Sequence, residues 1–433
     1  MFQPNESSII SKVGLNQSEL AAFPELKETL KFLTFFLTKN LLGKKNTTLL
    51  LGPLGFRPFT NYDAETRLRV KLYHAARNRK LAREARSLPS LDEIEDFKSL
   101  LLANATPPKF DNLDMIFYDG YKTAVKSAST AVQSFLPVKF FFELQLFCDW
   151  DRYGRVPVNC IISYILKKRE KTKFLIALHW YDSSYQGYLT EEDLKEYLVE
   201  QMMPRIPSLA EIVDSQMQDY YLCIATKKFF FMLDQKNLKK LRVIDIAASG
   251  LLEEILAVSS VDRAESAETS SDESSLLWFS RENCENIQRM YMDLDTDGNG
   301  LLRYEELKGF RQMTDFFVKR LFEMVQTYDH DQIDLRGFCD LLLAMDNKSD
   351  IAALTFYFRL LDVDADGYLN ASDLLFFYRD LAELYNRTYP AGEAAPPFED
   401  VKDEIFDMCR PKDPTRISFQ ELVKSGKGGT IVG

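Results

Sequence analysis

The apolar residues of this chain recur at helical spacing on both sides of short acidic stretches. Around the stretch 295–306 they are Ile287, Met290, Tyr291 and Leu294 on one side and Leu307 and Phe310 on the other. The same spacing flanks the stretch 362–373. Side chains three and four positions apart lie on one face of a helix. The pattern therefore predicts helix–loop–helix units whose loops carry the acidic residues.

The first acidic stretch, DTDGNGLLRYEE, fits the template of a calcium-binding EF-hand loop. Such a loop needs oxygen ligands at positions 1, 3, 5, 7 and 12 and a glycine at position 6, where the backbone turns sharply. The predicted ligands are Asp295, Asp297, Asn299, the carbonyl of Leu301 and a bidentate Glu306. At position 9, Arg303 brings a cation close to the ion, so we expect a reduced affinity.

The second acidic stretch, DVDADGYLNASD, fits the same template with more carboxylates. The predicted ligands are Asp362, Asp364, Asp366, the carbonyl of Tyr368, Asn370 through a water molecule, and Asp373. At position 12, Asp373 is shorter than the usual glutamate and reaches the ion with both oxygens less easily, which favours six-coordination. We therefore predict Ca²⁺ at two sites, with Mg²⁺ as the alternative ion at the Asp362 loop.

Further loops keep the spacing and lose the ligands. They are the stretches 149–160, 182–193, 234–245 and 410–421, together with a shortened loop at 328–333. We expect these loops to be structural, with helix caps at Thr190-x-x-Asp193 and Ser418-x-x-Glu421. Because EF-hands pack in pairs, we expect the Asp295 loop to pair with the shortened loop and the Asp362 loop to pair with the segment near Pro414.

These repeats predict a mainly α fold, an elongated array of EF-hand-like helix–loop–helix units. It would comprise two EF-hand sub-domains and an N-terminal helical region. The predicted segments are a variable N-terminus (1–55), a helical region (56–130), a first EF-hand-like domain with degenerate loops (131–258), an acidic Ser-rich linker (259–275), a second EF-hand domain with both intact loops (276–425) and a frayed tail (426–433).

The composition narrows the class of function. A formal net charge of -11 and a pI near 5.1 argue against nucleic-acid binding, which needs clustered Lys and Arg. Six scattered cysteines and the absence of a signal-peptide pattern indicate a reducing, cytoplasmic setting. No apolar run is long enough to span a membrane. The sequence motifs of nucleotide-binding, zinc-dependent and serine-nucleophile enzymes are absent, so we expect a non-catalytic protein.

Several segments between residues 63 and 423 resemble one known family. They are FYDGYKTAV from Phe117, KFFFELQLFCDWDRYGRV from Lys139, YDSSYQGYLTEEDLKEYL from Tyr181, YYLCIATKKFFFMLD from Tyr220, DVKDEIFDM from Asp400 and PKDP from Pro411. In these segments the chain is similar to the B-double-prime regulatory subunits of protein phosphatase 2A, gamma class, which includes the FASS or TONNEAU-type proteins of plants. The first 55 or so residues depart from that pattern.

The resemblance implies a regulatory protein that binds the scaffold and catalytic subunits of the phosphatase, together with substrate or targeting proteins. It would direct the substrate choice and the localisation of the phosphatase. The candidate locations are the centrosome, other microtubule-organising centres, the cytoskeleton and the nucleus. The alternative is an EF-hand calcium sensor or cytoskeletal adaptor that works without any phosphatase. Co-elution with the phosphatase scaffold distinguishes the two hypotheses.

Overall fold

The computed structural model of the chain describes residues 64–137, 140–147, 153–212, 215–265, 277–325, 327–328, 331–389 and 394–433. The predicted variable segment 1–55 lies outside the described residues, as do Asp149, Asp151 and residues 266–275 of the predicted linker. The chain divides into two units, residues 1–87 and residues 88–433. In the first unit the described structure is the basic helix Ala64–Arg86.

The described elements are mainly helices, which confirms the predicted fold class. The helices are α1 Ala64–Arg86, α2 Leu91–Ala103, α3 Tyr118–Ser127, α4 Thr130–Phe135, α5 Phe140–Phe147, α6 Val158–Tyr181, α7 Glu191–Tyr197, α8 Pro207–Ala210, α9 Ser215–Leu233, α10 Val243–Ala248, α11 Leu251–Glu265, α12 Arg281–Leu294, α13 Tyr304–Leu307, α14 Asp315–Met324, α15 Leu335–Asp346, α16 Ile351–Leu361, α17 Ala371–Thr388, α18 Phe398–Cys409, α19 Phe419–Lys424 and α20 Gly428–Val432. The strands are β1 Met115–Ile116, β2 Val156–Pro157, β3 Tyr188–Leu189, β4 Leu241–Arg242, β5 Tyr368–Asn370 and β6 Arg416–Ser418.

Helix starts follow the capping residues that the sequence marks. At α7 the hydroxyl of Thr190 accepts the N–H of Asp193, and the Asp193 carboxylate accepts the N–H of Thr190. Ser418 and Glu421 form the same reciprocal pair at α19. Each pair satisfies backbone donors that the first turn of a helix leaves unpaired. Both predicted capping boxes are therefore confirmed.

Short antiparallel pairings join the loops two by two. Strand β5 pairs with β6, and the backbone of Leu302 exchanges both hydrogen bonds with Ile333, at 2.8 and 2.9 Å. These are the two pairings predicted for the acidic loops, and both are confirmed. Strand β3 pairs with β4, and β1 pairs with β2, although no sequence pattern marks the segment around Met115 as a partner.

Among the described residues, the buried apolar side chains form three clusters. One lies among α2 to α5 and the start of α6, and a small one includes Phe358, Leu369 and Ile417. The largest runs from Phe174 to Phe377 and includes residues from both predicted EF-hand domains. The domain boundaries stay a prediction, but packing is continuous across them, and the first part of the predicted linker, 259–265, is the end of helix α11.

The prediction of a frayed tail is wrong, because residues 428–432 form the helix α20. Gly428 is buried against Leu354, and a Cβ atom at this glycine would lie 2.8 Å from the Leu354 Cδ atoms. Ile431 packs on the small cluster. Close packing on α16 orders the tail, whereas its glycine-rich composition by itself favours fraying. Within the part of the chain that is described, no helix has the length and apolarity needed to cross a membrane.

Candidate metal centres

The Asp295 loop brings three predicted ligands together. One carboxylate oxygen from each of Asp295, Asp297 and Glu306 lies within 4.8 Å of the other two. The Asp295 carboxylate accepts the N–H groups of Asn299 at 3.1 Å and of Gly300 at 2.8 Å, which closes the loop. Gly300 has φ of 79°, a left-handed conformation that favours glycine. Three convergent carboxylates suit a hard divalent cation.

Glu306 is held in place by the loop that it would help to close over an ion. Its Oε1 accepts the N–H and the hydroxyl of Thr296, at 2.9 and 2.7 Å, and its Oε2 accepts the N–H of Arg303 at 2.9 Å. Burial acts to raise the pKa of Glu306, but these hydrogen bonds outweigh it, so the pKa lies below its usual value. The carboxylate is therefore ionised and pre-oriented at neutral pH. The sequence template did not identify Thr296 as a contributor.

Arg303 forms an ion pair with Asp297 inside the same loop. The sequence predicts a cation near the ion, and the structure shows which ligand it engages. The Arg303 side chain is 54% exposed and that of Asp297 33%, so the attraction is screened by solvent. An incoming ion must still compete with the guanidinium for this carboxylate.

The Asp362 loop has the same construction with deeper burial. One carboxylate oxygen from each of Asp362, Asp364 and Asp373 lies within 4.8 Å of the other two, and Asp362 and Asp373 are buried. Asp362 accepts the N–H groups of Asp366 at 3.1 Å and of Gly367 at 2.9 Å. The carboxylate of Asp366 is not part of the cluster. Its Oδ1 accepts the N–H of Tyr368 at 2.8 Å.

Asp373 occupies the place that Glu306 takes in the first loop. Its Oδ1 accepts the N–H of Val363 at 3.1 Å and its Oδ2 the N–H of Asn370 at 2.9 Å, which are the equivalent backbone groups. Burial raises the pKa of Asp373 and the negative charges of Asp364 and Asp362 act in the same direction, against the two hydrogen bonds. A bound divalent cation would favour the charged form of this carboxylate.

The remaining predicted ligands take part in local hydrogen bonds. Asn299 Oδ1 accepts the N–H of Leu301 at 2.7 Å, and Asn370 Nδ2 donates to Asp364 Oδ2 at 3.4 Å. The ligand roles of all the predicted residues in both loops, including the Leu301 and Tyr368 carbonyls and Asn370, stay predictions. Arg320 was missed by the sequence template. Its guanidinium donates to the Asp362 carbonyl at 2.8 Å from a helix 42 residues earlier in the chain, a distance over which no local signal exists.

In two of the degenerate loops the first aspartate accepts hydrogen bonds from within the loop. In the 182–193 loop the buried Asp182 carboxylate accepts the N–H of Gly187 at 2.7 Å and the hydroxyl of Ser184 at 2.8 Å. In the 234–245 loop Asp234 accepts the N–H groups of Leu238 and Lys239. Clusters of three or more potential metal-binding side chains occur, among the described residues, in the Asp295 and Asp362 loops alone.

Paired helix–loop–helix units with short antiparallel links between their loops define the EF-hand class of protein. One chain of a solved PP2A PR70 holoenzyme shares this fold, with a TM-score of 0.50 at 20% identity, covering 61% of this chain and 94% of that one. No protein-family model matches the chain.

Comparison with curated protein sequences identifies the family more specifically than the fold does. The human B'' gamma regulatory subunit of serine/threonine-protein phosphatase 2A is 34% identical over 392 residues, covering 90% of this chain and 83% of the relative. The bovine protein of the same name matches to the same extent. TON2 of Arabidopsis thaliana, a probable B'' regulatory protein of the same phosphatase, is 28% identical over 291 residues, which is 65% of this chain and 58% of TON2. The chain belongs to the B'' regulatory subunits of protein phosphatase 2A, as the sequence resemblance indicated. Its role is regulatory and not catalytic.

Proposed function

We propose that this chain is a calcium-binding protein that joins the scaffold and catalytic subunits of protein phosphatase 2A and directs the enzyme to its substrates. The assembly part of the proposal is supported by the 34% identity to the named B'' gamma proteins over 90% of the chain. The observation that carries the calcium part is the convergence of three carboxylates in each of two loops.

An ion in each loop would neutralise carboxylates that otherwise repel one another. In the first loop it would be held by Asp295, Asp297 and Glu306, and in the second by Asp362 and its two partners Asp364 and Asp373. Both loops lie in antiparallel pairs with loops that lack such a cluster. An ion bound only to the folded protein stabilises it by mass action, so calcium would hold both pairs in shape. Mg²⁺ is the alternative ion at the Asp362 loop.

The assembly is tested with purified full-length chain carrying an affinity tag. It is mixed with recombinant scaffold and catalytic subunits in millimolar calcium or in a chelator. We expect both subunits to be retained in calcium and to be recovered less well in the chelator. Retention of neither one in either condition would refute the assembly and favour the phosphatase-independent sensor.

The calcium dependence is tested with Glu306→Ala combined with Asp362→Ala. A matched control, Asp403→Asn with Glu404→Gln, removes the same charge from exposed positions on α18. The loop variant should bind the phosphatase subunits in calcium as weakly as the unmodified chain does in chelator. Equal binding by the unmodified chain, the loop variant and the control would limit calcium to a structural role or exclude it.

We further propose a cytoplasmic location with recruitment to microtubule-organising centres, in line with the family resemblance. The strongly basic sequence of helix Ala64–Arg86 makes it a candidate docking helix or nuclear import signal. A fluorescent fusion expressed at native level should overlap with a centrosomal marker. Uniform distribution through the cytoplasm would contradict recruitment, whatever the result of the binding experiment.

A further inference from the structure

A cavity of about 470 Å³ opens beside the end of helix α6, remote in sequence from both metal loops. Its lining includes Trp180, Tyr181, Asp193, Glu196, Glu200 and Gln201. The volume lies within the range of about 300–1,000 Å³ that is typical of ligand pockets. The lining combines aromatic rings with carboxylates and contains no lysine or arginine.

Hydrogen bonds and ring packing hold Tyr181, an aromatic residue of the cavity lining, in place. The Tyr181 hydroxyl donates to Glu200 Oε2 at 2.6 Å and accepts from Gln201 Nε2 at 3.0 Å. The Tyr181 ring also packs edge-on against the buried Tyr197, with ring centroids 5.5 Å apart. Beside it, Trp180 is 50% exposed. The cavity therefore presents a large aromatic surface to solvent next to a tyrosine whose position is set by three neighbours.

The backbone that carries Glu200 is unusual. Helix α7 continues into a π-helical turn, Leu198–Met202, which holds Glu200 and Gln201 against Tyr181. The segment 191–202 contains neither glycine nor proline to account for this turn. Single π-helical turns are rare and occur frequently at functional sites. The turn therefore supports a functional role for the cavity that it lines.

The electrostatic field at the cavity is negative. Burial, the hydrogen bond to Glu200 and the charges of Glu200 and Glu196 together raise the pKa of Tyr181. Asp193 is engaged in the cap of α7. Within the described part of the chain, no lysine or arginine forms a salt bridge with Glu196 or Glu200. These two exposed carboxylates of the lining are therefore available to a cationic ligand.

We propose that this cavity binds an arginine side chain of a partner protein, with the guanidinium against Trp180 and hydrogen-bonded to Glu196 and Glu200. A guanidinium is planar, stacks on aromatic rings and donates to carboxylates in a fixed fork, so it matches both features of the cavity. The acidic lining excludes anionic ligands. The inference goes beyond the proposed phosphatase role and does not depend on it.

The test uses full-length protein labelled with 5-fluorotryptophan, and the Trp180 resonance is assigned by its loss in Trp180→Phe. N-acetyl-arginine methylamide is titrated and followed by fluorine NMR, with the neutral N-acetyl-citrulline methylamide as the matched ligand. We expect a saturable shift of the Trp180 resonance with the arginine compound and none with citrulline. Equal shifts with both compounds, or no shift with either, would overturn the proposal.

Glu196→Gln with Glu200→Gln should weaken arginine binding about tenfold or more, because two charge-assisted hydrogen bonds are lost. The matched control is Glu95→Gln with Asp96→Asn, which removes the same charge from exposed positions on α2. The control should bind as the unmodified chain does. If the cavity variant keeps its affinity, or if the control loses affinity equally, binding reflects net charge and the cavity is not the site.

Discussion

The guanidinium of Arg303 is ion-paired with the carboxylate of Asp297, so one predicted ligand in the first acidic loop already has a partner within the chain itself. The second loop has no such competitor at the same position, where Asn370 donates to Asp364. The two loops share a template and a hydrogen-bonding scheme. In the first loop, however, an ion would have to displace an arginine from a ligand, and in the second only an asparagine amide. The first site should therefore be the weaker one.

Arg303→Ser should raise the calcium affinity of the first loop. The substitution frees Asp297 and removes a positive charge beside the ion. For a pair this exposed, the gain is about 0.5–1 kcal/mol, or roughly two- to fivefold in Kd. Calorimetric titration measures it, and Arg387→Ser, which removes an exposed arginine on α17, is the control. A lower affinity in Arg303→Ser would mean that the ion pair helps to shape the loop.

Glu306→Ala and Asp362→Ala should each abolish binding at their own loop, because each removes a direct oxygen ligand. Calorimetry should then show a change from two bound ions to one. At a free calcium concentration of 100 Kd, each lost ion removes about 2.7 kcal/mol of stabilisation, which thermal unfolding detects. An unchanged stoichiometry in either single variant would contradict the ligand assignment.

Asp373→Glu should increase the preference of the second loop for Ca²⁺ over Mg²⁺. Asp373 and Glu306 accept hydrogen bonds from equivalent N–H groups. A glutamate at position 373 can therefore adopt the arrangement that Glu306 has in the first loop. A bidentate glutamate suits the larger coordination number of calcium. The ratio of the two dissociation constants, measured by competition, is the readout. A ratio unchanged from that of the unmodified chain would locate ion choice elsewhere in the loop.

Gly428→Val should destabilise the C-terminal packing, since even a Cβ atom would lie 2.8 Å from the Leu354 Cδ atoms. We expect a loss of about 1–3 kcal/mol in the free energy of unfolding, typical of overpacking. The control is Thr430→Val, a substitution at an exposed position of the same helix. Denaturant titration compares the two variants. If both unfold like the unmodified chain, helix α20 contributes no packing energy.

Glu421 should remain ionised at pH values well below the usual pKa of a glutamate. Hydrogen bonds from the N–H of Lys412 and from the hydroxyl and N–H of Ser418 lower its pKa from 4.5 to about 2. Because the pKa is lowered on folding, the stability it contributes is present above pH 4.5 and is lost as the pH falls towards 2.

Carboxyl NMR of ¹³C-labelled glutamate follows this group, with the Glu421 signal assigned by its loss in Glu421→Gln. The signal should stay constant from pH 7 to about pH 3.5. Ser418→Ala removes one of the donors and should move the titration of Glu421 upward. A Glu421 midpoint near 4.5 in the unmodified chain would show that the capping box does not hold in solution.

The sequence alone determined the positions of both acidic loops, their carboxylate clusters, two capping boxes and the pairing of each acidic loop with a degenerate one. All of these depend on residues within about twelve positions of one another, or on the regular repeat of such units. At this range the geometry of the backbone fixes which side chains meet. Ligand spacing and capping residues therefore appear directly in the order of amino acids.

Only the tertiary structure decided the continuous core on both sides of the predicted linker, the helix at the tail and the pairing of Met115–Ile116 with Val156–Pro157. It also brought Arg320 into contact with the second loop and Glu200 into contact with Tyr181. These contacts join residues that are distant in sequence or depend on a π-helical turn that no local motif marks. Their free energy comes from burial and packing between whole elements, which amino-acid order specifies only through the complete fold.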